Sequence, residues 1–177
     1  MALVLLPGLS NLIDDISEEK KLPPQVVEAA LREALLKGYE RYRRTLYLGI
    51  SEDPFDEEYF SNFDVGLDLD EEGYRVLASK IIVEDVESED HQIALAEVMQ
   101  VAEDAQVGDT VVLDVTPEKE DFGRMAAATT KQVLAQKLRD QQRRMIQEEF
   151  ADLEDPVLTA RVIRFERQSV IMAVSSG

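Results

Sequence analysis

Cysteine and tryptophan are absent from this chain, histidine occurs once, and positive charge is nearly missing from its middle third. Without a thiol there is no disulfide, no thiolate nucleophile and no cysteine-ligated zinc, a composition that fits a reducing compartment. The single His91 has neither a second histidine nor a cysteine to share a metal with, so its plainest reading is a surface or helix-start residue. Long apolar runs are lacking too. The opening "MALVLLPGLS" has no basic segment and meets Pro7 and Gly8 almost at once, which makes a poor signal peptide. No later run approaches the roughly 18 apolar residues of a membrane span. A soluble, cytoplasmic, monomeric protein with no membrane partner is expected.

The anchors of catalysis are also missing. No G-x-S-x-G, P-loop or G-x-G-x-x-G pattern occurs. The acidic clusters "DPFDEE", "DLDEE" and "VEDVESED" lack the ligand spacing that wraps a loop around calcium, and solvated charge explains them. With 37 acidic residues, a chance pair of carboxylates is no sign of a glycosidase. The expectation is a non-enzyme without cofactor or metal.

What the chain does have is 177 residues, 45% of them apolar, and a net charge of -18. That is enough for one core of ordinary size. Residues 1–50 hold seven acids and seven bases, whereas residues 51–121 set 23 acids against Arg75, Lys80 and Lys119. Residues 122–177 hold nine bases and seven acids. Any polyanion must therefore approach the flanks.

Leu9, Leu12, Ile13 and Ile16 recur at helical spacing, and Lys20–Lys21 with Pro23–Pro24 end that helix. The prolines open a second helix whose buried stripe is Val27, Leu31, Ala34, Leu35 and Tyr42. The two predict an αα-hairpin. Leu46–Ile50 reads as a strand, 51–62 as an acidic loop, and Phe63, Val65, Leu67 and Leu69 as alternation before the turn "DEEG". Tyr74 to Val83 follows as β, then a short helix around Gln92–Met99 and a strand in "VGDTVVLDVTP". A long helix is predicted over 121–150, with Asp121 as its cap, and "ADLEDP" breaks it. Two strands around a turn near Gln168 then resemble a small barrel cut short. The whole is an α+β fold: a helix pair, a mostly antiparallel sheet with a short helix, a long connecting helix, and two strands of an incomplete barrel.

The long helix departs from the acidity of the chain. At about 100° per residue, Arg124 and Lys131 nearly eclipse, and Arg139 and Arg143 follow on an adjoining arc. Leu134, Leu138 and Met145 form a neighbouring apolar stripe. Such a face is either solvated charge on a spacer helix or a surface for phosphate or an acidic partner.

The stretch "DFGRMAAATTKQVLAQKLRDQQRR" resembles the motif that closes the N-terminal domain of the NusA family of bacterial transcription factors. "IDDISEEKKLPPQVVEAALREALLKGYERY" resembles the family's opening helix pair, and "IALAEVMQVAEDAQVGDTVVLDVTPEKEDFGRMAA" its lead into the long helix. "DPVLTARVIRFERQSVIMAVSSG" is similar to the first strands of the following S1 domain, so the resemblance implies that the incomplete barrel is of S1/OB type. The resemblance implies residues 1–150 as an RNA-polymerase-binding domain and 151–177 as the start of S1. It implies a non-catalytic factor held on the flap-tip helix of the polymerase β subunit, beside the RNA exit channel, where it modulates pausing, termination and antitermination. By motif position, Lys37, Arg124 and Lys131 would face the nascent RNA hairpin, and the helical wheel extends that face to Arg139 and Arg143. Leu12, Ile13, Ile16, Val27 and Leu31 are candidates for the flap contact and serve equally well as core. Gly38 stands where members often carry a base, and the loop 51–62 is unusually acidic. The competing reading is an adaptor whose basic helix docks a protein, with no role for RNA.

Overall fold

The computed structural model describes residues 3–46, 55–56, 58–102, 104–118, 120–151, 159–166 and 169–174. They fall into two compact units, Met1–Asp140 and Gln141–Gly177.

In the first unit, helix α1 (Leu9–Lys20) starts after Gly8, whose φ of 79° favours glycine. It ends on Lys21, a left-handed residue whose N–H donates to the Ser17 carbonyl. Pro23 and Pro24 then open α2 (Pro24–Thr45), as their missing N–H groups allow. Its buried face is the predicted stripe with Ala30, Gly38 and Tyr39 added.

The sheet is organised on one long strand, β3 (Gly73–Val83). β2 (Phe63–Asp68) pairs antiparallel along one edge, from Phe63 opposite Ala78 to Asp68 opposite Gly73. β5 (Thr110–Asp114) pairs antiparallel along the other, from Leu77 opposite Asp114 to Ile81 opposite Thr110. Alternation then sends Tyr74, Val76, Ala78 and Ile82 inward, all essentially buried.

The ends of β3 hold what period alone did not predict. β1 (Val4–Leu5) pairs with Tyr74 and Gly73. Gly73 permits this approach, since a Cβ there would come within 2.8 Å of the Leu3 side chain and the Val4 carbonyl. At the other end β4 (Gln92–Ala94) lies parallel to Ile81–Val83, so helix α3 is only Leu95–Val98 rather than beginning at Gln92. A short apolar run carries no period that separates strand from helix, and the open edge of β3 decides it. Leu69 falls in the turn after β2. Leu46 caps α2 in a helical conformation, its N–H bonded to the Arg43 and Arg44 carbonyls, and the rest of the strand expected at Leu46–Ile50 lies outside the described residues.

The last long helix, α4, runs Glu120–Ala151. Phe122 anchors its first turn: it is fully buried, with its ring 5.1 Å from Tyr42, 6.0 Å from Tyr39 and 6.3 Å from Tyr74. Leu134 and Leu138 continue the contact into the core. Lys137 reaches back to ion-pair with Glu33 on α2.

The acidic stretch before β2 is tied down by aromatics. Phe55 and Phe60 are buried, and Tyr39 meets Phe60 and Phe63. Arg43 forks onto Asp90 at 2.7 and 3.1 Å and donates a further bond to the Tyr39 hydroxyl at 2.9 Å. Tyr59 donates to the same Asp90 carboxylate, and His91 sits edge-on to the Tyr59 ring. His91 is thus a partner of the Tyr59 carbonyl and Ser88 rather than a bare surface residue.

The second unit holds the end of α4 and a hairpin of β6 (Ala160–Glu166) and β7 (Ser169–Val174). The strands pair antiparallel with a bulge between Val162 and Arg164, and Val162, Phe165 and Met172 are exposed. The turn expected at Gln168 lies outside the described residues.

Two stability predictions follow from these anchors. Phe122→Ala should cost about 3–5 kcal/mol, measured by urea unfolding, because an aromatic side chain leaves a cavity where three elements meet. Asp90→Ala should cost about 2 kcal/mol at pH 7, because it strands the half-buried Arg43. Burial alone would raise the Asp90 carboxyl, but hydrogen bonds from Arg43 and Tyr59, with the Arg43 and Lys80 charges, hold it below its usual 3.8. A depressed folded value means that its contribution is complete above that usual value and is lost as pH falls through the lowered one. The gap between wild type and Asp90→Ala should therefore narrow below pH ~4.

Candidate functional site

α1, β1 and α4 do not close on one another completely. Between them runs an open apolar groove with a volume of about 920 Å³, at the upper end of the range of ligand pockets. One wall is α1, which presents Leu12 and Ile16 one turn apart, with Glu19 and Lys20 at its end. β1 adds Val4 and Leu5, with Leu6 after it. These residues are held by the turn before β3: the Leu6 N–H donates to the Glu72 carbonyl at 2.7 Å, and the Gly8 N–H to the Glu72 carboxylate at 2.9 Å. α4 supplies the opposite wall from Gly123, Thr130, Leu134, Ala135 and Leu138, with Lys131 and Arg139 on its rim. Leu31, Leu35 and Tyr74 form the floor.

The five apolar candidates divide. Leu12 is 44% exposed, and it lines the groove with Ile16 and Leu31. Ile13 and Val27 are buried in the core beneath. Two polar atoms in the groove lining stand out. Tyr74 and Thr130 are only 1% and 8% exposed, and neither hydroxyl has a hydrogen-bond partner among the described residues. Burial pushes the Tyr74 hydroxyl well above the usual tyrosine range, so it stays protonated.

The basic candidates are exposed wherever they fall. Arg124, Lys131 and Arg139 present their charges on α4 in the first unit, and Arg143 is exposed in the second. Arg124 and Lys131, seven residues apart, share one arc of the helix. Arg139 bends back to donate to the Ala135 carbonyl at 3.1 Å. Neither Lys131 nor Arg139 has an ion-pair partner among the described residues. Lys37, on α2, is exposed and paired with Glu40 at 2.8 Å. Gly38, where the resemblance led to the expectation of a base, is buried.

β1 and the two hydroxyls were not identified as site residues by pattern. The legible signal was a polar residue on the helical arc of Leu134 and Leu138, which Thr130 occupies. Among the described residues no group of acids, histidine or cysteine is arranged to hold a metal, and no helix is long and apolar enough to cross a membrane.

Comparison with known proteins places this architecture. The family model described as the NusA N-terminal domain matches residues 8–144. The transcription termination/antitermination protein NusA of Bacillus subtilis is 30% identical over 168 residues, spanning 93% of this chain and 41% of that protein. NusA of Thermus thermophilus is 31% identical over 160 residues, spanning 90% of this chain and 40% of that protein. The chain thus spans about two-fifths of the length of these relatives. The solution structure of the N-terminal domain of Bacillus subtilis NusA superposes with a TM-score of 0.51 at 28% identity, covering 77% of this chain and 97% of that one. A match that takes in both helices of the opening pair, the sheet from β2 to β5 and the basic stretch of α4 leaves one conclusion: the chain belongs to the NusA family of transcription termination/antitermination factors and carries its N-terminal domain.

Proposed function

We propose that residues 1–150 act as the polymerase-binding domain of a NusA-type factor, with 151–177 as the start of an S1 domain. The domain docks on RNA polymerase beside the RNA exit channel. The apolar face of the β flap-tip helix lies in the groove against Leu12, Ile16 and Leu31, and the α4 face carrying Arg124 and Lys131, with Lys37, meets the nascent hairpin. The observation that carries this reading is the adjacency on α4 itself. Thr130 and Leu134 line an apolar groove, while Lys131 stands on its rim in line with Arg124. A groove is how a folded domain takes an amphipathic helix, and exposed cations are how it takes phosphates without reading sequence. The action on pausing, termination and antitermination is electrostatic and geometric, with no chemical step. The acidity of 51–121 confines RNA to that face.

Two substitutions separate the functions. Leu12→Glu adds a charge at a half-exposed position, so the thermal midpoint should hold while affinity for core polymerase falls at least ~10-fold, the cost of an unpaired charge in an apolar contact. Arg124→Ala with Lys131→Ala should abolish enhancement of hairpin pausing, yet change polymerase affinity by no more than ~5-fold, as exposed charges do. Unchanged pausing in that double variant would leave a protein-docking adaptor without an RNA role.

A further inference from the structure

The register of the sheet leaves one edge open. Among the described residues β5 pairs with β3 alone. In an antiparallel pair, alternate residues bond across, and those between them turn their N–H and carbonyl groups the other way. Here the Val115 N–H donates to the Val76 carbonyl at 2.8 Å, and the Ile82 N–H to the Asp109 carbonyl at 2.8 Å. That parity commits Asp109, Val111, Leu113 and Val115 to β3 and aims the backbone groups of Thr110, Val112 and Asp114 outward. Solvent reaches the strand, since Thr110 is exposed and Val112 is 62% exposed. An edge strand is ordinarily blunted by a lysine, an internal proline or a bulge, and "TVVLD" has none of these. None of its residues lines the groove between α1, β1 and α4.

The surroundings of that edge carry one sign of charge. Asp104 and Asp109 stand before the strand and Glu118 after it, all exposed and none ion-paired among the described residues. Arg75 is held among Asp68, Glu71 and Asp114, and Lys80 donates to the Glu89 carbonyl at 2.5 Å, so neither base is free to offset them. We infer that β5 receives an extended, basic segment of a partner protein, which joins the sheet as an added strand through main-chain hydrogen bonds to Thr110, Val112 and Asp114. Strand addition takes its affinity from the backbone and its selectivity from alternate side chains. Side chains of the segment that share the outer face with Val112 are apolar. Those between them fall on the face of Asp109 and are lysine or arginine. A second copy of this chain would bring a like-charged edge, with a net charge of -18 on each copy opposing the contact. Nothing in this assignment depends on what the groove holds.

The test titrates a short capped peptide alternating lysine and valine into the isotope-labelled 177-residue chain, read by amide shifts and hydrogen exchange. The amides of Thr110, Val112 and Asp114 should shift, and their exchange should slow at least ~10-fold at saturation, as new backbone bonds require. The same peptide with its valines N-methylated keeps its charge and side chains but loses those donors. It should bind at least ~10-fold more weakly, the worth of more than one hydrogen bond. Replacing the lysines by glutamate should abolish binding, and Asp109→Asn should weaken the lysine peptide about 2- to 5-fold. Val112→Pro removes an N–H with no partner among the described residues, so the β3–β5 amide pattern should persist while binding is lost. Equal binding of the N-methylated peptide, a readout that needs no change to the protein, would overturn the inference, because charge alone then explains capture. Shifts that spare Thr110, Val112 and Asp114 would overturn it as well. So would a doubled mass of the chain alone with slowed exchange at those three amides, which would give the edge to a second copy.

Discussion

Burial of Phe122 is the constraint on which the rest of the first unit depends. Its ring is enclosed by Tyr39 and Tyr42 from α2 and Tyr74 from β3, so one side chain fixes the first turn of α4 against a helix and a sheet at once. Once that turn is held, helical geometry dictates the rest: Thr130 and Leu134 fall toward the groove, and Arg124 and Lys131 fall together on an exposed arc. The opposite wall has its own clamp in the bonds from Leu6 and Gly8 to Glu72. The groove is thus the space left between two separately anchored elements rather than a gap in a loose core.

Charge is organised with equal economy. The acids of the middle region include several that are spent internally, most clearly Asp90, which receives both arms of Arg43 and the Tyr59 hydroxyl. Arg75 lies among Asp68, Glu71 and Asp114 at 3.5 to 4.0 Å. Basic residues of the first two helices and of the acidic middle are in these cases already committed to carboxylates. On α4 the pattern differs, since Lys131 and Arg139, beside the apolar groove, have no carboxylate partner among the described residues. That contrast bears on why so acidic a chain carries a basic helix: beyond Lys137, which pairs with Glu33, the charges of Lys131 and Arg139 are not committed to carboxylates of the fold among the described residues.

Much of this was legible because the elements concerned are long and one-faced. The αα-hairpin followed from apolar spacing and two prolines, the alternation of β2 from period two, and the extent of α4 from its length. The family resemblance rested on the same residues, "DFGRMAAATTKQV" above all. What escaped were features set by partners rather than by local pattern. β1 is two residues long and exists only because Gly73 lets it approach. β4 reads as strand only because β3 offers an edge. Phe55, Tyr59 and Phe60 sat in a stretch that acidity marked as loop, yet Phe60 packs on Tyr39, and Phe55 and Tyr59 pack on Phe60. The groove belongs to this class as well. Leu12, Ile13, Ile16, Val27 and Leu31 share one apolar description, and tertiary placement alone separates Leu12, Ile16 and Leu31 along the groove from Ile13 and Val27 beneath it.

The central claim is that one helix serves two surfaces, an apolar groove for the polymerase and a cationic arc for RNA. Chemical-shift mapping of the isotope-labelled chain against the isolated β flap addresses it most directly, followed by addition of a short RNA hairpin. The account predicts that the flap shifts Leu5, Leu12, Ile16 and Leu138 and leaves Arg124 in place, and that the hairpin then shifts Arg124 without reversing the first set. Flap-induced shifts confined to the outer face of the sheet, with the groove residues unmoved, would contradict it.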